Sequence, residues 1–310
     1  MNIPGCGSSF IVHRSSLLVI RLSALGDVIH TIPAVVALRE RFDVSWAVET
    51  PYRELVEIVA GVRAIPVALK RWSLRNIRDA RNAVHGFDVA IDFQGLVKSA
   101  LLARASGAKD RIGFAPQFIR EKPAAWLMNH RRHIDPNRHV VEWNTQLAGV
   151  GRVPDVDFQK FPANGQPPSP ALSEAEGANE IVILPGAGRK QKQWPYFPEL
   201  AKRIDALAAW GPGEETLARA TGARVAPPTT LRELARLLRD AQLVIGGDTG
   251  PLHLAAALGT PVVGLYGPTN PARNGPYGQL GNVVESYSTT KSMRSIGVDD
   301  VMRKIDEVLR

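Results

Sequence analysis

LVIGGDTGPLHLAAALGTPVVGLYG, residues 243–267, decides the fold of this chain because it packs strand, turn, helix and strand into 25 residues. Leu243–Ile245 is a short apolar run of the buried-strand type. Gly246 and Gly247 are expected to turn the backbone, with Asp248 and Thr249 capping a helix that opens near Pro251. Leu252, Ala255, Ala256 and Leu258 are compact helix residues, Gly259 is a fitting stop, and Pro261–Tyr266 reads as a second buried strand. Such a unit carries the free amides and positive dipole end of its helix to the C-terminal edge of a parallel sheet, where open α/β sheets bind ligands. A capped unit with no ligand has the same outline. The polar residues Asp248, Thr249 and His253 around the helix start favour an anion.

The same scheme recurs on both sides of a composition break. Leu17–Leu22 reads as a strand, Ser23–Asp27 as a turn, Val28–Phe42 as a helix and Val44–Glu49 as the next strand. Val89–Phe93, then Gln94-Gly95 and a helix over Leu96–Ala105, repeats it. From Phe161 to Glu180 the chain turns rich in proline and glycine, which marks a linker. After it, Ile181–Leu184 starts a second α/β series that includes an amphipathic helix over Leu231–Leu238 and ends in a helix over Val298–Leu309. The expected organisation is a doubly wound domain over 1–162, a linker over 163–180 and a second doubly wound domain over 181–310, with the site in the cleft between them. A helix over Pro198–Leu207 would leave little room for a strand before Trp210-Gly211, and Ser286–Ser295 is similarly compressed.

Composition narrows the function classes. At 310 residues, 45% hydrophobic and 22% charged, the chain is of ordinary globular type. No run approaches the roughly 18 to 20 apolar residues of a membrane span. The N-terminal stretch has no continuous apolar h-region, so a cytoplasmic location is expected. A single cysteine, Cys6, excludes an internal disulfide framework and a cysteine-built zinc site. The net charge of +8 is concentrated: Lys98–Arg138 holds nine Lys and Arg against three acids. Such a patch suits a phosphorylated or carboxylated substrate or an anionic membrane face, or is a plain solvated surface. Nucleic acid is disfavoured, since no recognised DNA or RNA module accompanies the charge.

Two further segments carry chemistry. In RLSALGDVIHTIP, residues 21–33, Gly26 suits a tight turn, and Asp27 and His30 fall a turn apart on a helix whose start faces the expected cleft. Asp27 reads either as a cap or as a general base. In LPGAGRKQKQWP, residues 184–195, glycines at 186 and 188 follow a strand and stand beside Arg189, Lys190 and Lys192, a combination suited to a diphosphate or a basic surface loop. The segment has neither the Walker A nor the GxGxxG spacing. Asp155 and Asp157 form an Asp-x-Asp pair with no apolar strand before it, read as a surface feature. His130, His133 and His139 are expected to face solvent or an acceptor rather than a metal.

Together RLSALGDVIHTIP, VAIDFQGLVKSALLAR, GRKQKQWP and GGDTGPLHLAAALGTPVVGLYGPTNP resemble glycosyltransferase family 9, the ADP-heptose transferases of the lipopolysaccharide inner core, and are most similar to its heptosyltransferase I branch. The resemblance implies a GT-B architecture of two Rossmann-like domains, acceptor on the first and nucleotide sugar on the second. It implies inverting, metal-independent transfer of L-glycero-D-manno-heptose from ADP-heptose to Kdo of Kdo2-lipid A, with no cofactor and peripheral contact with the cytoplasmic face of the inner membrane. By this resemblance Asp27 is the base and Lys192 offsets charge on the departing ADP. Gly188, Arg189, Trp210, Gly211, Glu214, Asp248, Thr249, Gly250 and His253 bind the donor, and Lys70, Arg71, Lys98 and Arg120 the acceptor. Two departures, Trp143 where that branch often has arginine and the PGAGRKQ form of the loop before Lys192, leave room for a family member acting on another core sugar. A GT-B nucleotide-sugar epimerase, or a non-catalytic anion- or lipid-binding protein, would share much of the pattern.

Overall fold

The computed structural model describes residues 14–68, 74–163 and 179–310. Two parallel six-stranded sheets form its framework. The first contains β1 (Ser16–Ile20), β2 (Asp43–Glu49), β3 (Arg63–Val67), β4 (Val89–Asp92), β5 (Asp110–Phe114) and β6 (His130–Arg132), in the order β3-β2-β1-β4-β5-β6. The second contains β7 (Ile181–Leu184), β8 (Ala206–Ala208), β9 (Arg224–Val225), β10 (Leu243–Gly247), β11 (Val262–Tyr266) and β12 (Val283–Glu285), in the order β12-β11-β10-β7-β8-β9. In each, the order reverses beside the first strand, which is where a doubly wound sheet leaves a ligand crevice at its C-terminal edge.

Strand alternation explains why both faces are covered. Along β1, Leu17 and Val19 pack on one face with Val28, Ile32 and Val35 of α1 (Leu25–Leu38), while Leu18 and Ile20 pack on the other with Ala100 and Ala103 of α2 (Val97–Ala105). The helices α3 (Val140–Ala148), α4 (Leu231–Asp240), α5 (Gly250–Ala257) and α6 (Val298–Leu309) complete the layers used below. The cluster that holds Leu17 and Val19 also takes in Leu147 of α3, Leu252 and Leu254 of α5, and Val182 and Val244 of the second sheet, so apolar packing is continuous between the halves.

Several expectations change. Gly246 and Gly247 lie inside β10, paired with β7 and β11, rather than in a turn. The reason for glycine is close approach: a Cβ at Gly247 would lie 2.9 Å from the Lys192 carbonyl oxygen, and one at Gly246 2.9 Å from Leu184 Cβ. The first helix begins at Leu25, three residues before Val28, and Asp27 lies in its first turn as the RLSALGDVIHTIP spacing predicts. The helix expected over Pro198–Leu207 spans only Phe197–Leu200, and Ala206–Ala208 is a buried strand paired with β7. A shortened helix, not a lost strand, accommodates the compression.

Candidate active site

The site gathers at the C-terminal edges of both sheets, where α1 and α5 meet end to end. Gly26 and Gly250 make this possible: a Cβ at Gly26 would stand 2.9 Å from His253 Cδ2, and one at Gly250 2.6 Å from Leu25 Cβ. Only residues without side chains let the two helix starts approach so closely, and Asp27 is thereby brought beside the Asp248–His253 turn.

On the first sheet's side, Asp27 is about half exposed and ion-paired with Arg21, and its Oδ2 accepts the Ala24 amide at 3.3 Å. The Arg21 guanidinium is nearly buried and also donates to the Phe93 carbonyl. The turn that leads into Asp27 is clamped by Gln94, whose Oε1 accepts the Leu22 amide at 2.7 Å while Nε2 donates to the Ser23 carbonyl at 3.2 Å. Gln94 is in turn held by Asp92, whose Oδ1 accepts the amides of Gln94 at 2.8 Å and Gly95 at 3.2 Å, and whose Oδ2 lies 2.9 Å from Ser99 Oγ. Burial pushes the Asp92 carboxyl up to about 6 against the pull of those hydrogen bonds. Arg21, Asp92 and Gln94 thus shape the turn that carries Asp27, and the sequence alone assigns a role to none of them.

On the second sheet's side, Asp248 takes Lys192 Nζ at 2.6 Å on Oδ2 and His253 Nε2 at 3.1 Å on Oδ1. Burial alone would raise its pKa, but the His253 hydrogen bond and the cationic field of His253 and Lys192 overcome it and bring the carboxyl to about 2. Asp248 is therefore a fixed anion, not the expected helix cap. Thr249 occupies the N-cap position of α5, yet its side chain makes no capping bond and its Oγ1 is buried without a partner. Thr269 Oγ1, just past β11, is in the same condition. Two unsatisfied hydroxyls, one of them at a helix N-terminus beside Lys192, are the polar lining an anion would complete.

The remaining donor candidates line the ends of β7 and β8. A side chain at Gly186 would collide with the Glu214 carboxylate, which accepts the Gly211 amide at 3.1 Å. Trp210 Nε1 donates to the Ala226 carbonyl at 2.7 Å, leaving the indole half-buried over this edge. Gly188 and Arg189 are exposed on the loop that leads into Lys192. On the acceptor side, Lys98 sits in the first turn of α2 and Arg120 is exposed beside Glu121, whose Oε2 caps the Val97 amide. Lys70 and Arg71 lie outside the described residues.

His139 corrects the expectation of a solvent-facing ring. It is 4% exposed, its Nε2 donates to the Gly275 carbonyl at 3.0 Å and its Nδ1 accepts the Val141 amide at 3.2 Å, so it caps α3 and ties the first half to the second. Both ring nitrogens are used in the neutral form, and burial lowers its pKa to about 4. His30 packs edge-on between it and His253, with ring centroids 5.4 and 4.4 Å away, and burial holds it neutral as well. Arg273 lies over the Trp143 ring at 4.2 Å, so a guanidinium faces the position where the sequence departs from the heptosyltransferase I pattern. His130 and His133 are exposed, and Asp157 receives the Gln159 amide on an exposed turn. Among the described residues no group of three His, Cys, Asp or Glu side chains is placed to hold a metal ion.

The sequence profile of glycosyltransferase family 9 (heptosyltransferase) matches residues 81–304. The chain belongs to this family. It is 33% identical over 293 residues to lipopolysaccharide heptosyltransferase 1 of Pseudomonas aeruginosa, covering 85% of this chain and 81% of that protein. It is 31% identical to lipopolysaccharide heptosyltransferase 1 of Escherichia coli K12, covering 94% and 99%. Among solved structures, E. coli heptosyltransferase WaaC with ADP superposes with a TM-score of 0.77 at 30% identity, covering 94% of this chain and 99% of that one. The two sheets are accordingly those of a GT-B glycosyltransferase.

Proposed function

We propose that the protein transfers L-glycero-D-manno-heptose from ADP-heptose to a Kdo residue of Kdo2-lipid A, with inversion, at the cytoplasmic face of the inner membrane. The observation that carries this reading is the packing of Leu25 and Gly26, next to Asp27 at the start of α1, against Gly250 and His253 of α5, where His253 and Lys192 hold Asp248. In a single displacement the Kdo hydroxyl attacks the anomeric carbon, its proton passes to Asp27, and the bond to the ADP oxygen breaks on the opposite side. Arg21 orients the Asp27 carboxylate for that transfer. Lys192, the α5 amides and the free Thr249 hydroxyl meet the diphosphate and offset the charge that grows on it as it leaves. Gly188, Arg189, Trp210, Gly211 and Glu214 frame the nucleoside end, while Asp248, Gly250 and His253 hold the sugar-diphosphate junction. Lys70, Arg71, Lys98 and Arg120 supply cations for the Kdo carboxylates and lipid A phosphates. No step draws on a metal ion or a cofactor.

The test is ADP release from ADP-heptose in the presence and absence of Kdo2-lipid A. Release that depends on the acceptor, and that falls at least 10³-fold on the order expected for a lost base in Asp27→Ala with ADP binding retained, supports the reading. Folded protein that releases no ADP, or that converts the donor without acceptor as an epimerase would, overturns it.

A further inference from the structure

The described residue that leaves most of a large apolar side chain in water is Trp126, 72% exposed, on the 3-10 helix Lys122–Leu127. Its neighbours Ala124, Ala125 and Met128 are buried, and Ala124 and Met128 share a cluster with Ala100, Leu102 and Ala103 of α2, so the turn is fixed by its inner side and presents the indole outward. The next most exposed apolar residue, Leu101 at 47%, is on α2, the element this turn packs against. Lys98, Leu101 and Arg104 recur every three residues along the outer side of α2. Lys122 and Pro123 are exposed beside Trp126.

The surrounding charge is net positive, nine Lys and Arg against three acids over Lys98–Arg138. Of the three acids in the basic stretch, Asp110 is engaged by His130, Glu121 by Arg120 and the Val97 amide, and Asp135 by Arg138. Among the described residues no carboxylate pairs with Lys98, Arg104 or Lys122. An outward indole with an exposed lysine on its own turn, packed on a helix that carries two further unpaired cations, is the composition of a surface that sits at a lipid headgroup boundary, where the ring takes the interfacial layer and the cations meet anionic lipid. No helix among the described residues is long and apolar enough to cross a membrane, so contact through a surface of this kind needs no span.

We infer that Leu101 and Trp126, with Arg104 and Lys122, form the face by which the protein docks on an anionic bilayer. The inference deepens the proposed function, in that a lipid-linked acceptor must be met at a membrane. This face lies on the half of the protein that carries Asp27 and the acceptor-side cations Lys98 and Arg120.

The experiment is co-sedimentation of the full chain with phosphatidylethanolamine vesicles, with and without phosphatidylglycerol, at low and high salt. Wild type is expected to bind only the anionic vesicles and to be released by salt. Trp126→Ala should weaken binding several-fold. Arg104→Gln and Lys122→Gln should each weaken it about five-fold, the effect of one surface cation near anionic lipid. All three should turn over a soluble, deacylated acceptor as wild type does. Wild type that ignores anionic vesicles, or variants that bind them unchanged, overturn the inference. So does concentration-dependent dimerisation lost in Trp126→Ala, which would assign the face to a second copy of the chain. Vesicle binding uses no donor, so loss of docking with intact turnover, or the reverse, separates this inference from the transfer reaction.

Discussion

Asp92→Asn is expected to stabilise the protein, and to do so increasingly as pH rises. In the folded state burial lifts the Asp92 carboxyl from its ordinary 3.8 to about 6. Because the folded pKa is raised, the unfolded chain loses its proton first, and between these two values every step up in pH favours the unfolded state. At 1.36 kcal/mol per tenfold, the cost at neutral pH is about 3 kcal/mol. The geometry shows why protonation is welcome. The Ser99 hydroxyl has one hydrogen but two acceptors, Asp92 Oδ2 at 2.9 Å and the Leu96 carbonyl at 2.8 Å. A protonated Asp92 donates to Ser99 Oγ and lets that hydroxyl serve Leu96. Asparagine reproduces the arrangement at all pH values, Nδ2 donating to Ser99 and Oδ1 keeping the Gln94 and Gly95 amides. Urea denaturation of both proteins near pH 4.5 and 7.5 should therefore show the stability gap moving in favour of the variant by about 2 kcal/mol across that interval. With Gln94 still clamping Leu22 and Ser23, turnover should remain within a few-fold of wild type. A gap that is the same at both pH values, or a variant that loses ground as pH rises, refutes the reasoning.

Two further outcomes follow from titratable groups at the junction of the halves. Lys192→Met should lower kcat by about 10² to 10³-fold, the range for removing one preorganised group from a developing anion, and should let the Asp248 carboxyl drift up from about 2; steady-state ADP release checks the first, and a kcat within a few-fold of wild type would remove Lys192 from the departing-group role. His139 is held at about 4 by burial, below the 6.5 of a free ring, so the unfolded chain takes up a proton first on acidification and stability falls as pH drops from 6.5 toward 4. His139→Asn, which keeps a cap acceptor for Val141, should be less stable than wild type at pH 7, and that deficit should shrink by about 2 kcal/mol near pH 4.5, as read from urea midpoints; a deficit that does not change with pH would place the acid sensitivity elsewhere.

What the sequence exposed and what it hid divide along a physical line. Alternation and apolar runs are local, so β1, β10, β11, α2 and α6 were legible to within a few residues. The pattern carries the helix on to Leu207, whereas it ends at Leu200, because Ala206, Leu207 and Ala208 are good helix formers that tertiary pairing with β7 draws into a strand. The β10 glycines read as a turn because periodicity says nothing about how near another backbone comes, and the Lys192 carbonyl is the reason for Gly247.

The same limit applies with more force to the site. Asp27, Lys192 and the 248–253 turn could be singled out because each is a polar residue at a strand end. The groups around them come from far along the chain or from the other half: Gln94 on the Leu22–Ser23 turn, Asp92 beneath Gln94, His139 on Gly275, Asn144 Nδ2 on the His30 carbonyl at 2.9 Å. Asp27 and Asp248 illustrate the consequence. Both are carboxylates near a helix start, and both were open to a capping role. One is half-exposed and paired with Arg21, open to solvent as the proposed base role requires. The other is buried between Lys192 and His253 and stays ionised down to about 2, so it can only position and neutralise. Burial and partners, not residue type, separate the proposed base from the fixed anion, where Gly26 and Gly250 allow the two helix starts to touch.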